Sequence, residues 1–63
     1  MTTNEARQVF GLSENDELYT EGILRLIKAA QERLGTWSLS GNNRKAVENE
    51  LNALLVLYAE SIK

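Results

Sequence analysis

The fold is decided by residues 53–59, which have the unbroken apolar sequence Ala53-Leu54-Leu55-Val56-Leu57-Tyr58-Ala59. Successive residues of a helix are turned by about 100°, so this run cannot lie on one face. Its side chains form two sets, with Leu54, Leu55 and Tyr58 on one side and Ala53, Val56 and Leu57 on the other. A surface helix normally has a single apolar stripe. The run therefore predicts a helix with two faces to bury.

The same periodicity extends beyond the run in both directions. Apolar residues at positions 47, 51, 54 and 58 have the heptad-like spacing that is typical of helices packed side by side. Either Asn42 or Asn43 is a competent N-cap upstream of them. We therefore predict a helix over about 43–62. Its main apolar stripe consists of Val47, Leu51, Leu54, Leu55, Tyr58 and Ile62.

A second long helix is predicted over about 14–34. Ser13 is a good N-cap, and the acidic residues that follow it suit the positive end of a helix dipole. Gly35 is a stop signal after the last periodic residue. The apolar stripe expected to face the core consists of Tyr19, Ile23, Leu26, Ile27, Ala30 and Leu34.

A short helix over about 3–10 is predicted to precede these two. Thr3 or Asn4 can cap it, and Gly11 suits the left-handed position that ends a helix. The two long helices are similar in length and joined by a short connection, which predicts an antiparallel hairpin. We expect an all-α protein with one domain over 1–63, either a small three-helix bundle or a dimeric helical bundle.

The composition excludes most catalytic chemistry. The chain has 63 residues, no cysteine, no histidine and a formal net charge of -2. Thiolate nucleophiles, imidazole acids and bases, and the usual zinc sites are therefore absent. We expect a non-enzymatic protein without a cofactor or metal. No apolar run approaches the ~20 residues that span a bilayer, so we expect a cytoplasmic protein with no membrane partner.

The second face of the C-terminal helix is the main candidate for a functional surface. One interpretation is that the short N-terminal helix covers it within a monomer. The other, which we favour, is that it binds a protein partner, most simply a second copy in a homodimer. The predicted interface residues are Leu24, Ala46, Ala53, Val56 and Leu57. The expected function is that of a small regulatory or adaptor protein that self-associates or docks a partner.

A second candidate site lies where the end of one long helix meets the start of the other. Arg33, Trp37, Arg44 and Lys45 are expected to be close together there. Basic side chains and free backbone N–H groups at a helix start suit a phosphate or carboxylate group. The alternative function is therefore a small regulator that binds nucleic acid or another phosphate ligand. The acidic net charge argues against nucleic acid as a general partner.

Overall fold

The computed structural model of the protein describes residues 1–36, except for the side chain of residue 36, and residues 41–63. These residues form three helices and no strand: α1 over Thr3–Val9, α2 over Thr20–Thr36 and α3 over Gly41–Ser61. The prediction of a small all-α fold with a short N-terminal helix and two long helices is confirmed. No helix in the described part of the chain is long and apolar enough to cross a membrane.

Helix α1 begins with a capping box formed by its own sequence. The hydroxyl oxygen of Thr2 accepts a hydrogen bond from the Glu5 N–H at 3.2 Å. In return, the Thr2 N–H donates to the Glu5 carboxylate at 3.4 Å. This reciprocal pair satisfies N–H groups that have no partner within the helix. The cap is therefore Thr2, one residue before the positions that the sequence favoured.

Gly11 ends α1 as predicted. Its φ of 69° lies in the left-handed region, where glycine has no steric penalty. The N–H of Gly11 donates to the Gln8 carbonyl at 3.1 Å, and the N–H of Leu12 donates to the Arg7 carbonyl at 2.8 Å. This pair of hydrogen bonds is the Schellman motif, and it turns the chain sharply away from the helix axis.

Helix α2 begins six residues later than predicted. Ser13 does not cap a helix. Its N–H instead donates to the Asp16 carboxylate at 2.8 Å within a turn. The guanidinium of Arg7 donates to the carbonyl oxygens of Ser13 and Asp16 at 2.8 and 2.9 Å. A helix over 14–34 would need these same carbonyls for its own first turns. The Arg7 side chain thus stabilises a turn over these residues, and α2 starts at Thr20.

The hairpin of α2 and α3 is antiparallel. At one end the Thr20 hydroxyl donates to the Ser61 hydroxyl at 2.9 Å. At the other end Arg33 forms a salt bridge with Glu50 at 3.6 Å. These two pairs define a register in which the residue numbers of facing positions sum to about 82. Helix α1 packs on α3 as well, whereas the backbones of α1 and α2 do not meet in the described residues. Helix α3 therefore lies at the centre of the molecule.

The core is formed by all three helices around α3. Ala6 is its contribution from α1 and is completely buried. Helix α2 contributes three residues spaced four and three apart, which lie on one face of the helix. Helix α3 contributes residues from both of its predicted faces. The buried apolar residues are Ala6, Ile23, Ile27, Ala30, Val47, Ala53, Leu54 and Leu57. The apolar run of α3 is thus shared between two neighbouring helices.

Candidate interaction surfaces

The centre of the predicted interface lies inside the monomer. Ala53 is 0% exposed and Leu57 is 2% exposed, and both belong to the same cluster as Ala6 of α1. The prediction that these two side chains form an intersubunit surface is therefore wrong. The other interpretation of the second face, in which the N-terminal helix covers it, describes these two positions correctly. The physical reason is that α1 packs on α3 and contributes the buried Ala6 to the same cluster.

The remaining predicted interface residues have three different environments. Val56 is half-buried and packs against the edge of the core. Ala46 is exposed because α1, with 7 residues, is much shorter than α3, with 21. Leu24 is 38% exposed on α2. These residues do not form one surface around Leu57, so the interface has to be sought elsewhere.

Several residues predicted to be in the core are in fact exposed. Tyr19 and Leu26 are predicted to face α3 from the second helix. Tyr19 instead precedes α2 and is 69% exposed, and Leu26 of α2 is 51% exposed. Leu55 of α3 is 48% exposed, and Ile62, which directly follows α3, is 59% exposed. The apolar residues of α3 extend further around the helix than the part of its surface that α1 and α2 cover. The exposed remainder is the surface that sequence reasoning missed, although its residues were all in the main stripe.

Four apolar residues that are not fully buried, three on α3 and one directly after it, form a line that we call the outer stripe. It consists of Leu51, Leu55, Tyr58 and Ile62, which are half-buried or exposed. Their spacing of four, three and four residues places them along one side of the helix. The outer stripe lies on the side of α3 that faces away from α1, since Leu55 is turned by about 200° from Ala53.

Leu24 of α2 lies beside the outer stripe. In the antiparallel register it is level with position 58 of α3. Leu24 follows the buried Ile23 by one residue, as Leu55 follows the buried Leu54. In an antiparallel pair of right-handed helices, these two steps turn toward the same side of the hairpin. Leu24 and the outer stripe together form one apolar face of the α2–α3 hairpin, which we call the outer face.

A second apolar feature lies on the opposite side of the hairpin. It is a groove of about 260 Å³ between α2 and the segment that leaves α1, with α3 as its floor. Tyr19 and Glu17 lie at one end, where the Tyr19 hydroxyl donates to the Glu17 carboxylate at 2.9 Å. We call this feature the inner groove. Its principal apolar lining residues are Phe10, Leu12, Gly22, Leu26, Leu54 and Leu57.

The predicted anion site is not gathered into one place by the described residues. Arg33 forms its salt bridge with Glu50, and Arg44 forms one with Glu48 at 3.2 Å. Glu50 and Arg44 differ by six residues, so they lie about 120° apart around α3. Lys45 is exposed on a further side. The fourth predicted residue, Trp37, lies outside the described residues. Within residues 1–36 and 41–63, no group of three or more acidic side chains is arranged to hold a metal ion.

Comparison with known proteins adds no functional assignment. The chain matches no protein-family model, no curated protein and no solved structure. Function is therefore inferred from the two apolar features.

Proposed function

We propose that the protein is a non-enzymatic interaction module that forms a homodimer through the outer face. The observation that supports this most directly is the outer stripe, in which Leu55 and Ile62 are 48% and 59% exposed. Single exposed apolar residues are normal on a protein surface, but a continuous apolar line along a helix is typical of an interface. The absence of cysteine is compatible with action in the cytoplasm, where we place this function.

The size of the chain gives the outer face a reason to be covered. A domain of about 60 residues buries only about 60% of the surface that its unfolded chain exposes. Small domains usually need a disulfide, a metal or a partner subunit in addition to their core. This chain has no cysteine for a disulfide and no histidine for the common zinc sites. A partner that covers Leu55 and Ile62 would supply the missing apolar burial.

The spacing of the outer stripe favours a second copy as that partner. The steps of four, three and four residues are the same in either chain direction. When two copies of α3 pack in antiparallel orientation, Leu55 of one copy therefore lies opposite Tyr58 of the other, and Leu51 lies opposite Ile62. The two-fold symmetry repeats both pairs. A two-fold interface requires this kind of self-complementarity. The midpoint of the outer stripe, between positions 56 and 57, is where the symmetry axis would pass.

The charges beside the outer face agree with this arrangement. In the hairpin register, the midpoint of the outer stripe is level with position 25 or 26 of α2. Glu21 and Lys28 lie on either side of that level, and both are exposed. The two-fold axis therefore brings Glu21 of one copy near Lys28 of the other. Opposite charges at the rim of an apolar contact favour one orientation over others.

The test is the molar mass in solution as a function of concentration. Sedimentation equilibrium should show a reversible change from monomer to dimer with rising protein concentration. Leu55→Glu should remove the dimer and leave the helical circular dichroism of the monomer unchanged, because Leu55 is outside the buried core. Ala29→Glu is the matched control, since it adds the same charge at an exposed position of α2 on the opposite side of the hairpin. A wild-type protein that stays monomeric at millimolar concentration would disprove the proposal.

A further inference from the structure

The inner groove is large enough to hold one small apolar group. Its volume is about 260 Å³. An apolar cavity of about 150 Å³ is sufficient for benzene, whereas drug-sized ligands occupy about 300–1,000 Å³. The groove therefore suits a single ring or a short alkyl chain. It lies on the side of α3 away from the outer stripe, so a ligand here is independent of the proposed dimer contact.

The glycine in the wall keeps the inner groove open. A Cβ at Gly22 would meet only the Tyr19 Cβ, at 3.9 Å, so nothing in the packing requires glycine at this position. Glycine in a helix is unfavourable by about 0.5–1 kcal/mol relative to alanine. The practical effect of Gly22 is that no side chain from this turn of α2 fills the space above Leu54 and Leu57.

The inner groove has one charged side chain in its lining, the carboxylate of Glu17. This carboxylate accepts the hydrogen bond from Tyr19 at 2.9 Å and forms no salt bridge with any residue of 1–36 or 41–63. Arg7, which holds the turn before Glu17, donates to the carbonyls of Ser13 and Asp16 instead. The end of the apolar groove therefore carries a negative charge without a counter-ion from the described chain.

We propose that the inner groove is a binding site for a small amphiphilic amine. The apolar body of the ligand lies between Leu26 of α2, which is 51% exposed, and the half-buried Phe10 after α1. Its ammonium group pairs with the solvent-exposed Glu17 carboxylate. An amphiphilic anion of the same length is disfavoured because its head meets the same carboxylate. This chemistry distinguishes the groove from a purely apolar surface.

The experiment is a titration of the uniformly ¹⁵N-labelled protein, followed by amide chemical shifts. The probes are octylammonium, 1-octanol and octanoate, which have the same chain and different heads. All three should shift the amides of Gly22 and Leu26. Octylammonium should bind about twofold to fivefold more tightly than octanol, because an exposed ion pair contributes little. Octanoate should bind more weakly than octanol. Equal affinity for all three heads, or shifts centred on Leu55 and Ile62, would overturn the proposal.

Two variants separate the apolar and charged parts of the site. Gly22→Leu should fill the groove and remove octanol binding, whereas Gly35→Leu, at a helical glycine with nothing within 4 Å, should not. Glu17→Gln should leave octanol binding unchanged and abolish the preference for octylammonium. If Glu17→Gln keeps that preference, the charge assignment is wrong. If Gly22→Leu binds octanol as the wild type does, the ligand does not occupy the inner groove.

Discussion

The two sides of α3 have similar apolar sequences and opposite environments. Leu57 is 2% exposed under α1, whereas Leu55, two residues earlier, is 48% exposed on the outer stripe. Both are leucines in one uninterrupted run. The difference is made by α1, a helix of 7 residues whose buried contribution is Ala6. A short helix held by a capping box and a Schellman motif thus helps to bury one side of the run, whereas Leu55 on the other side stays exposed.

This comparison separates stability from association. A buried leucine contributes by removing apolar surface from water within one chain, at any protein concentration. An exposed leucine contributes only when a partner covers it, so its effect depends on concentration. Substitutions at Leu57 and Leu55 should consequently change different measurements.

The largest effect is expected for Leu57→Ala. Truncation of a fully buried leucine typically costs about 2–5 kcal/mol, because the transfer free energy is lost and a cavity remains. Leu55→Ala, measured at a concentration where the protein is monomeric, should cost less than about 1 kcal/mol. Urea denaturation followed by circular dichroism measures both. Equal losses at the two positions would show that α1 does not shield Leu57 in solution.

A smaller effect is expected where the chain leaves α1. Gly11 has a φ of 69°, so Gly11→Ala forces a side chain into the left-handed region and should cost about 1–2 kcal/mol. Gly35 has no such constraint, since it lies within α2 and its φ is not positive. Gly35→Ala should therefore be neutral or stabilising by up to about 1 kcal/mol. Thermal unfolding of the two variants checks the pair, and a Gly11→Ala protein as stable as the wild type would contradict the role of the Schellman motif.

The sequence was sufficient to predict the three helices, but not which apolar residues of α3 the other two helices bury. The heptad-like spacing of Val47, Leu51, Leu54 and Tyr58 predicted the long C-terminal helix, and Gly11 predicted the end of α1. These signals are local and follow from helix geometry. Which apolar residues of α3 are buried by α1 and which by α2 depends on tertiary packing, and not on local sequence. Helix periodicity places Leu55 and Leu57 on different sides without indicating which side a neighbouring helix covers.

The late start of α2 has a similar cause. Ser13 and the acidic residues after it form an ordinary helix-start signal, which predicts a helix from about residue 14. The hydrogen bonds that hold the observed turn come from Arg7, which lies six residues before Ser13. A basic side chain that can reach two carbonyls in a following turn has no distinctive sequence pattern. For the same reason, no sequence pattern indicates the inner groove, whose walls come from α2 and from the segment after α1.

The smallest effect concerns the orientation of the proposed dimer across the outer face. Each of the two symmetric contacts between Glu21 and Lys28 should contribute about 0.2–1 kcal/mol, as exposed ion pairs do. Lys28→Glu should therefore raise the dimer Kd by about twofold to thirtyfold, and Glu21→Lys should act similarly. The double variant Glu21→Lys/Lys28→Glu should restore the wild-type Kd, because the exchange recreates both pairs in the antiparallel arrangement.

This charge exchange tests orientation separately from association. A parallel arrangement of α3 about a two-fold axis would place the two α2 helices on opposite sides of the contact, so Lys28 would face no charge of the second copy and Lys28→Glu would leave the Kd almost unchanged. The comparison should be made by sedimentation at low salt, since screening at high ionic strength reduces the differences between exposed charges. If Leu55→Glu removes the dimer but the Lys28 and Glu21 variants leave its Kd unchanged, the outer face is the interface and the antiparallel register is wrong.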